Sequence, residues 1–353
     1  MRFAPRPSVL VLAAAIAACG GTPPSAAPAS SSTSNPAEPR RGPEPAATAT
    51  PSSSVTARPE EPPLQLVTWE RRIAAPVASF ALGKKRVAAL GRADGRYGPA
   101  WILDGDKRNE APLPDRLLAR DDQRDELRVF FGRDDWPRIL GARTNGDRKS
   151  GVYLRHKAGW KTDPNEITKL MQPPDAGFYG VIGHDDPEVV CEVGGTCIIK
   201  RLSGWTFVPA GAEQLHVDLS SGVAVGLGTS SVSRMTQRGW ERIGGDVPWK
   251  DPGGVWASAD ATTLWVSEPA SSSLHRWDGQ RWTRHDSPVA GPRGLWGTAG
   301  DDMWLAAAGG VARWNGTAWQ RIAAPEGAFT EVRGRASTEV WIAGETGLWQ
   351  GKR

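Results

Sequence analysis

Two cysteines stand six positions apart in the stretch CEVGGTC, which runs from Cys191 to Cys197. Gly194 and Gly195 turn the chain between two runs of β character, so the two thiols are expected to face each other across a hairpin. In an oxidising compartment they would form a disulfide, which for so short a loop stabilises the fold by only about 2 kcal/mol. A metal-binding pair is the alternative, but no further cysteine or nearby histidine completes such a site.

Three segments mix aromatic and charged residues with glycine and proline, a composition typical of functional loops. They are GGDVPWKDPGG at 244–254, RHDSPVAGPRG at 284–294 and DPNEITKLMQPPDAG at 163–177. These loops and the apolar runs after two of them predict a ligand face for a glycan or a peptide, consisting of Trp249, Lys250, Asp251, Trp256, His285, Asp286, Arg293 and Trp296. A solvated rim without a ligand is the alternative interpretation.

Signatures of catalysis are missing from the sequence. It contains no nucleophile elbow, no zinc-type histidine spacing and no phosphate-binding loop. The acidic stretch from His184 to Glu188 is interpreted as a turn rather than a metal site. We therefore predict no enzyme activity, no cofactor and no metal, and we keep a catalyst assembled from distant parts of the chain as a third hypothesis.

The net charge is small. A formal charge of +4, dispersed along the chain, does not indicate a nucleic-acid partner. Alternating acidic and basic residues along the outer strands are typical of a solvated surface. The expected partner is an envelope protein or a glycan, and the chain is expected to be a monomer.

The N-terminal region indicates export and lipid attachment. Arg2 and Arg6 precede an apolar run from Val9 to Ala18 that is too short to span a bilayer, which predicts a signal peptide over residues 1–18. The run ends in IAAC, which resembles a bacterial lipobox, so Cys19 is the predicted lipidation site. The resemblance implies palmitate attachment and an outer-membrane location, facing the periplasm or the cell surface; an ordinary signal peptide is the alternative.

Residues 19–63 are rich in alanine, proline, serine and threonine and contain almost no large apolar side chains. Such a segment cannot bury enough surface to offset the entropy of ordering, so we predict a disordered tether. The folded domain is then expected to span residues 64–353.

Tryptophan recurs at fixed positions in that domain. The chain has 17 tryptophans and three tyrosines. The segments 254–285 and 294–322 share four tryptophans in the same order, namely Trp256 and Trp296, Trp265 and Trp304, Trp277 and Trp314, and Trp282 and Trp319. Each unit of about forty residues divides into four short β runs, which predicts an all-β fold of the β-propeller type. Counting the units gives seven four-stranded blades, with six or eight left open.

The two ends of the domain share a phrase. TWERRIAAPVASF at Thr68–Phe80 is a near copy of AWQRIAAPEGAF at Ala318–Phe329. The last unit, from Phe329 to Arg353, supplies only three strands. We therefore predict that the strand at Thr68 is the fourth strand of the last blade and closes the ring.

The tryptophans can be read as packing residues or as sugar platforms. Recurrence at fixed blade positions favours packing between blades, and Trp256 and Trp296 are the less certain cases. The phrase DDMWLAAAGGVARWNGTAWQ resembles the tryptophan-rich β-propeller lipoproteins of the myxobacterial type. The resemblance implies a propeller at the cell envelope that acts as a protein-binding or scaffolding module. A carbohydrate-binding, lectin-like propeller is the alternative function.

Overall fold

The structure is a computed structural model. It describes residues 66–94, 96–113, 127–131, 135–141, 151–156, 159–162, 178–182, 189–192, 197–201, 204–208, 216–220, 223–228, 230–236 and 239–353. The predicted signal peptide, Cys19, the tether and the loop at 163–177 lie outside these residues. Within the described ranges, no helix has the length and apolar character needed to cross a membrane.

The described residues form seven four-stranded antiparallel sheets. The first contains β2 (Val77–Leu82), β3 (Arg86–Ala93), β4 (Arg96–Asp104) and β5 (Lys107–Ala111). The second contains β6 (Leu127–Phe131), β7 (Pro137–Gly141), β8 (Gly151–His156) and β9 (Gly159–Thr162). The third contains β10 (Phe178–Ile182), β11 (Val189–Glu192), β12 (Cys197–Arg201) and β13 (Gly204–Val208). The fourth contains β14 (His216–Ser220), β15 (Val223–Leu227), β16 (Val232–Thr236) and β17 (Gly239–Ile243).

The remaining sheets belong to the repeats with the strongest tryptophan pattern. The fifth contains β18 (Gly254–Ala257), β19 (Leu264–Glu268), β20 (Ser273–Trp277) and β21 (Trp282–Asp286). The sixth contains β22 (Pro292–Ala299), β23 (Asp302–Ala307), β24 (Gly310–Trp314) and β25 (Trp319–Ile322). The last contains β26 (Phe329–Ala336), β27 (Glu339–Gly344), β28 (Gly347–Lys352) and β1 (Thr68–Ile73).

The sheets follow one another in a closed series. Each first strand contacts the first strand of the next sheet, in the order β2, β6, β10, β14, β18, β22 and β26, and β26 contacts β2. In six sheets the strands are hydrogen-bonded in sequence order from the inner edge outward, and in the last sheet β1 follows β26, β27 and β28. This arrangement is a β-propeller, so the predicted fold class is confirmed.

The N-terminal strand completes the last sheet. β1 pairs antiparallel with β28, with Thr68 opposite Lys352 and Trp69 opposite Gly351. The pairing satisfies the backbone groups that would otherwise form an exposed edge on β28. Ile73, at the end of β1, is buried in a core shared with the first sheet. One strand therefore joins the first and last parts of the described chain, as the repeated phrase predicts.

The two faces of the propeller differ in what they carry. In a four-stranded antiparallel blade, the connection to the next blade leaves from the same face as the turn between the second and third strands. We call this the connection face, and it carries residues 323–328 and the turn at Glu345–Thr346. The opposite face carries Thr68, where β1 begins, and Lys352, where β28 ends.

Tryptophans fill the spaces between sheets. Trp265, Trp304 and Trp341 lie in second strands and are almost fully buried. At roughly 150–250 Å² of surface per aromatic side chain and about 25 cal/mol per Å², each contributes on the order of 5 kcal/mol as an upper estimate. The recurring spacing thus reflects packing at these positions.

Two of the fourth-strand tryptophans also join neighbouring sheets by hydrogen bonds. Trp282 Nε1 donates to the carbonyl of Gly244 at 2.6 Å, and Trp69 Nε1 donates to that of Ala323 at 2.8 Å. Gly244 and Ala323 each directly follow the last residue of the preceding sheet's fourth strand. The same indole position therefore fixes two different pairs of blades.

The turns between third and fourth strands use Asp-Gly and Asn-Gly pairs. Asp278 Oδ1 accepts hydrogen bonds from the N–H groups of Gln280 and Arg281, both at 2.9 Å. Gly279 has a φ of 93°, which glycine adopts without the steric cost of a Cβ. Asn315 and Gly316 form the equivalent turn one sheet later. Each loop has four residues, and the side chain of Asp278 or Asn315 bridges the turn by accepting from its backbone N–H groups.

Cys191 and Cys197 lie on adjacent strands. They are direct partners in the antiparallel ladder between β11 and β12. The hairpin expected from the sequence is therefore present, and the disulfide stays a prediction. The acidic stretch 184–188 lies outside the described residues.

Candidate functional site

A cavity of about 560 Å³ opens on the connection face, where first strands from four sheets begin. We call it the channel mouth. Its walls are short backbone segments at the starts of β2, β18, β22 and β26, together with the ends of β3 and β27. Its charged residues are Arg92, Arg293, Glu331, Arg333 and Glu345.

Arg293 is held in place through its backbone. The buried hydroxyl of Ser267 donates to the carbonyl of Arg293 at 2.8 Å. Gly254 packs against the same carbonyl so closely that a Cβ there would collide with it. The backbone is thus fixed by the neighbouring sheet, while the Arg293 side chain is exposed at the mouth.

Glu331 and Arg333 lie on β26, at the contact between the last and first sheets. Glu331 Oε2 accepts a hydrogen bond from the N–H of Phe80 on β2 at 3.1 Å. Arg333 Nε lies 4.0 Å from that same carboxylate oxygen, and the Arg333 side chain is 37% exposed against 13% for Glu331. The Glu331 carboxylate is therefore mostly buried in the wall by its contact with β2, whereas the Arg333 side chain remains accessible at the mouth. Among the described residues, the buried Nε of Arg333 has no hydrogen-bond partner.

These two residues break the repeat. Glu331 lies opposite Ala343 on the second strand of its sheet. The equivalent positions in the fifth and sixth sheets are Gly254, opposite Ser267, and Gly294, opposite Ala306. Arg333 likewise occupies the register of Trp256 and Trp296. The sequence analysis did not predict either residue. Two charged residues at positions where other repeats have glycine and tryptophan could have indicated a functional site.

Arg92 reaches the mouth from the end of β3. Its guanidinium carbon lies 5.3 Å from the centre of the Tyr97 ring, a cation–π arrangement. Tyr97 in turn accepts a hydrogen bond from the N–H of Leu127 on the next sheet at 3.0 Å. Arg92, Arg293 and Arg333 therefore come from three sheets, and an anionic group is the ligand that their guanidinium groups suit.

The structure removes two tryptophans from the predicted ligand face. Trp249 and Trp256 are 3% and 1% exposed. Trp249 packs edge-on against Trp282 with ring centres 4.8 Å apart, and Trp256 Nε1 donates to the carbonyl of Gly297 at 3.1 Å. Solvent-facing indoles at these positions were expected of a glycan-binding face, and burial between sheets overturns that expectation. Trp296 is half-buried and packs over Gly334 of the next sheet.

The polar members of the predicted face do not converge. His285 packs between the rings of Trp265 and Trp314, at 5.1 and 5.0 Å. Asp286 is exposed and lies 3.8 Å from Arg284. The exposed residues Lys250 and Asp251 lie in the 244–254 connection, outside the walls of the channel mouth. Of the eight predicted residues, only Arg293 lines the channel mouth.

A buried polar pair supports the 244–254 connection. His275 Nε2 lies 3.2 Å from Glu268 Oε2, while Glu268 Oε1 accepts the N–H of Lys250 at 3.0 Å. Burial raises the pKa of Glu268, but hydrogen bonds from the Ser271 hydroxyl, the Lys250 N–H and His275 outweigh it and lower the pKa to about 2. Burial lowers the pKa of His275 against the opposing effect of Glu268. The pair therefore fixes the backbone of the 244–254 connection at Lys250.

Within the part of the chain that the structure describes, no group of three or more His, Cys, Asp and Glu side chains is placed to hold a metal ion. The channel mouth combines arginine, glutamate and threonine side chains with backbone groups. Its chemistry is that of a binding site for an anionic or zwitterionic group.

Comparison with known proteins bears on the fold. A scan against protein-family models and a search of curated proteins found no match. A solved structure described as "YCF48 bound to D1 peptide" is similar over 82% of this chain and 96% of that chain, with 16% identity and a TM-score of 0.59. A streptogramin B lyase structure is similar over 81% and 97%, with 15% identity and a TM-score of 0.58. YCF48 from Cyanidioschyzon merolae is similar over 81% and 98%, with 12% identity and a TM-score of 0.56.

These similarities and the sheet topology define the class of protein. The chain is a β-propeller built from repeated four-stranded antiparallel sheets. At such low identity the similarity extends to the fold alone.

Proposed function

We propose that this protein is an envelope-anchored β-propeller lipoprotein that binds an extended segment of a partner protein at the channel mouth. The observation that carries the proposal is the convergence of Arg92, Arg293 and Arg333 from three sheets on one concave site. A peptide segment that carries a carboxylate, either a side chain or a terminal group, suits this set of donors.

The position of the site fits a tethered binding module. The described chain begins next to Thr68, on the face opposite the channel mouth. The point at which the preceding residues join β1 is therefore separate from the mouth. Lipidation at Cys19, a flexible tether over residues 19–63 and kinship with the tryptophan-rich propeller lipoproteins complete the proposal.

The comparisons add support of a general kind. The YCF48 structure is described as bound to a peptide, so a propeller of similar fold does accommodate one. Trp249 and Trp256 are buried, and the half-buried Trp296 does not line the channel mouth, so the lectin-like alternative lacks a tryptophan stacking surface among the described walls of this site. We therefore favour a protein partner for this site.

The test is a binding selection with the full chain. Random twelve-residue peptides with free carboxyl ends would be selected against it, and the affinity of a selected peptide would be measured by fluorescence anisotropy. Arg293→Ala should weaken binding about tenfold or more, since a charge-assisted hydrogen bond contributes about 1.5–3 kcal/mol. Binding should also weaken with rising salt because the site is open to solvent.

The matched control is Arg281→Ala. Arg281 is an exposed arginine in a turn on the opposite face, so its loss changes the net charge equally without altering the mouth. Equal affinity of Arg293→Ala and the wild type would contradict the proposed site. Palmitate labelling that persists in Cys19→Ala would contradict the proposed anchor.

A further inference from the structure

A second cavity, of about 660 Å³, lies between the sixth and last sheets and reaches the connection face at Pro325, Glu326 and Thr346. We call it the seam groove. It is lined by Trp69, Arg71, Ala323, Ala324, Pro325, Glu326, Thr346 and Trp349. Its lining combines apolar side chains with polar groups, and its two charged residues are of opposite sign.

The indoles of the groove are anchored. Trp69 packs over Gly351, where a Cβ would collide with its ring, and its Nε1 donates to the carbonyl of Ala323 at 2.8 Å. The Arg71 guanidinium carbon lies 5.3 Å from the centre of the Trp349 ring. Arg71 Nη2 also donates to the carbonyl of Thr346 at 2.5 Å. The guanidinium is therefore positioned in advance, which lowers the entropy lost on binding.

The groove keeps unused hydrogen-bonding capacity. Arg71 and Glu326 are both exposed, and among the described residues neither is in an ion pair. Arg71 retains further N–H donors, because one contact to Thr346 does not exhaust a guanidinium. Glu326 offers acceptors only. Arg71 and Glu326 both line the groove, so donors and acceptors are available there for the N–H and C=O groups of an extended peptide backbone.

One turn separates the groove from the channel mouth. Gly344 and Glu345 line the mouth, and the next residue, Thr346, lines the groove. Both cavities open on the connection face, so a single extended segment can pass from one to the other over this turn. Twelve extended residues span about 40 Å at roughly 3.3 Å per residue, which gives a peptide ample reach.

We infer that the channel mouth and the seam groove form one continuous binding surface for an extended peptide. The carboxylate end of the peptide occupies the mouth, and an apolar side chain further along packs against Trp69 and Pro325. Arg71 and Glu326 hold the peptide backbone between them. This inference rests on the proposed function and adds the second contact region and the apolar residue that the partner must carry.

A saccharide fits the groove less well. Sugar rings bind tryptophan by stacking on an open indole face, but the Arg71 guanidinium already lies over Trp349. Proline-rich peptides instead dock in aromatic-lined grooves in an extended conformation. The arrangement of Arg71 therefore favours a peptide.

The experiment compares peptide lengths on the full chain. A selected twelve-residue peptide and its six-residue carboxyl-terminal fragment would be titrated against the wild type and Ala324→Trp, whose new side chain fills the groove. We expect the wild type to bind the longer peptide at least tenfold more tightly. Ala324→Trp should abolish that gain while leaving the affinity for the short fragment unchanged.

A milder variant guards against a folding defect. Glu326→Ala should lower the gain from length about threefold, whereas Asp246→Ala, an exposed acid in another blade connection, should leave it unchanged. A gain from length that survives both groove variants overturns the inference but leaves the mouth intact. If Arg293→Ala weakens neither peptide, the proposed function itself has failed. Binding of chitohexaose or cellohexaose that Ala324→Trp abolishes would also overturn the inference in favour of a saccharide.

Discussion

The carboxylate of Glu331 accepts a hydrogen bond from the backbone N–H of Phe80 at 3.1 Å, although 251 positions separate the two residues in sequence. The contact joins the first strand of the last sheet to the first strand of the first sheet. It therefore belongs both to the closure of the propeller and to the wall of the channel mouth. Arg335 adds a second link between the last and first sheets by donating to the carbonyls of Gly83 and Arg86.

Replacing Glu331 should separate the contributions of its shape and its charge. Glu331→Ala leaves the Phe80 N–H without its acceptor and should lower the free energy of unfolding by about 1–3 kcal/mol. Glu331→Gln keeps an acceptor at the same position and should recover much of that loss. Urea denaturation of both variants is the measurement, and equal stability of the two would contradict the assigned hydrogen bond.

Removing the closing strand should destabilise the whole domain. Deletion of residues 64–75 leaves β28 as an unpaired edge and takes Ile73 out of the core, which alone corresponds to about 2–5 kcal/mol. We expect a clearly lower melting temperature in circular dichroism. Deletion of residues 25–50, within the predicted tether, is the control and should leave the melting temperature unchanged. An unaltered melting curve for the first deletion would argue against closure by β1.

The blade-joining tryptophans should respond in parallel. Trp69→Phe and Trp282→Phe keep an aromatic ring but remove the donors to Ala323 and Gly244. Each should cost about 1–2 kcal/mol, because a partly buried carbonyl loses its partner. Chemical denaturation of the two single variants and the double variant checks this, and the losses should add since the sites are far apart. A stabilised variant would contradict the assigned role.

Stability should fall in mildly acidic solution. Burial lowers the pKa of both His275 and His285 below the ordinary value of 6.5, so the unfolded imidazoles bind protons more readily than the folded ones. Because stability rises with pH wherever the unfolded state binds more protons, we expect a loss as the pH drops below about 6.5. The stability that the lowered pKa of Glu268 provides is lost further down, between pH 4.5 and about 2.

Denaturation of the wild type and His285→Phe between pH 5 and 8 tests this dependence. Phenylalanine fits among Trp265 and Trp314 without a titrating group, so the variant should show a shallower slope between pH 5 and 6.5. Identical slopes would mean that His285 titrates alike in both states.

The cysteine pair gives a redox prediction. Cys191 and Cys197 are cross-strand partners, so oxidation is expected to link them and add about 2 kcal/mol. Mass spectrometry of the peptide that contains both residues, before and after reduction, is the measurement. Two free thiols in the exported protein would contradict the disulfide.

Several parts of the fold were predictable because they depend on local patterns. The four-part tryptophan repeat identified the β-propeller class, since the same residue types recur wherever the same packing recurs. The near copy of Ala318–Phe329 at Thr68–Phe80 predicted the closing strand. The glycines of the Asp278-Gly279 and Asn315-Gly316 turns have the positive φ that is typical of such pairs.

The candidate site was predicted less well. Trp249 has no counterpart in the other repeats, and the composition of the loop around it suggested an exposed ligand-binding residue. Its burial depends on Trp282 and His275, which pack around it from other strands. Of the charged residues at the mouth, Arg293 was predicted from its loop. Arg92 was overlooked because nothing beside it in the sequence marks it, and Glu331 and Arg333 were overlooked although they replace the glycine and tryptophan of other repeats.

The sequence by itself determined the class of fold, the closing strand and the packing role of the repeated tryptophans. The reason is that equivalent buried positions in successive sheets require similar residues at a regular spacing in the sequence. Only the tertiary structure decided that Arg92, Arg293 and Arg333 line one cavity. It also decided that the Glu331 carboxylate accepts a hydrogen bond from the Phe80 N–H. It also placed the seam groove one turn away from that cavity. A binding site assembled from several blades depends on how the chain closes in space, and no local pattern encodes the distances that closure creates.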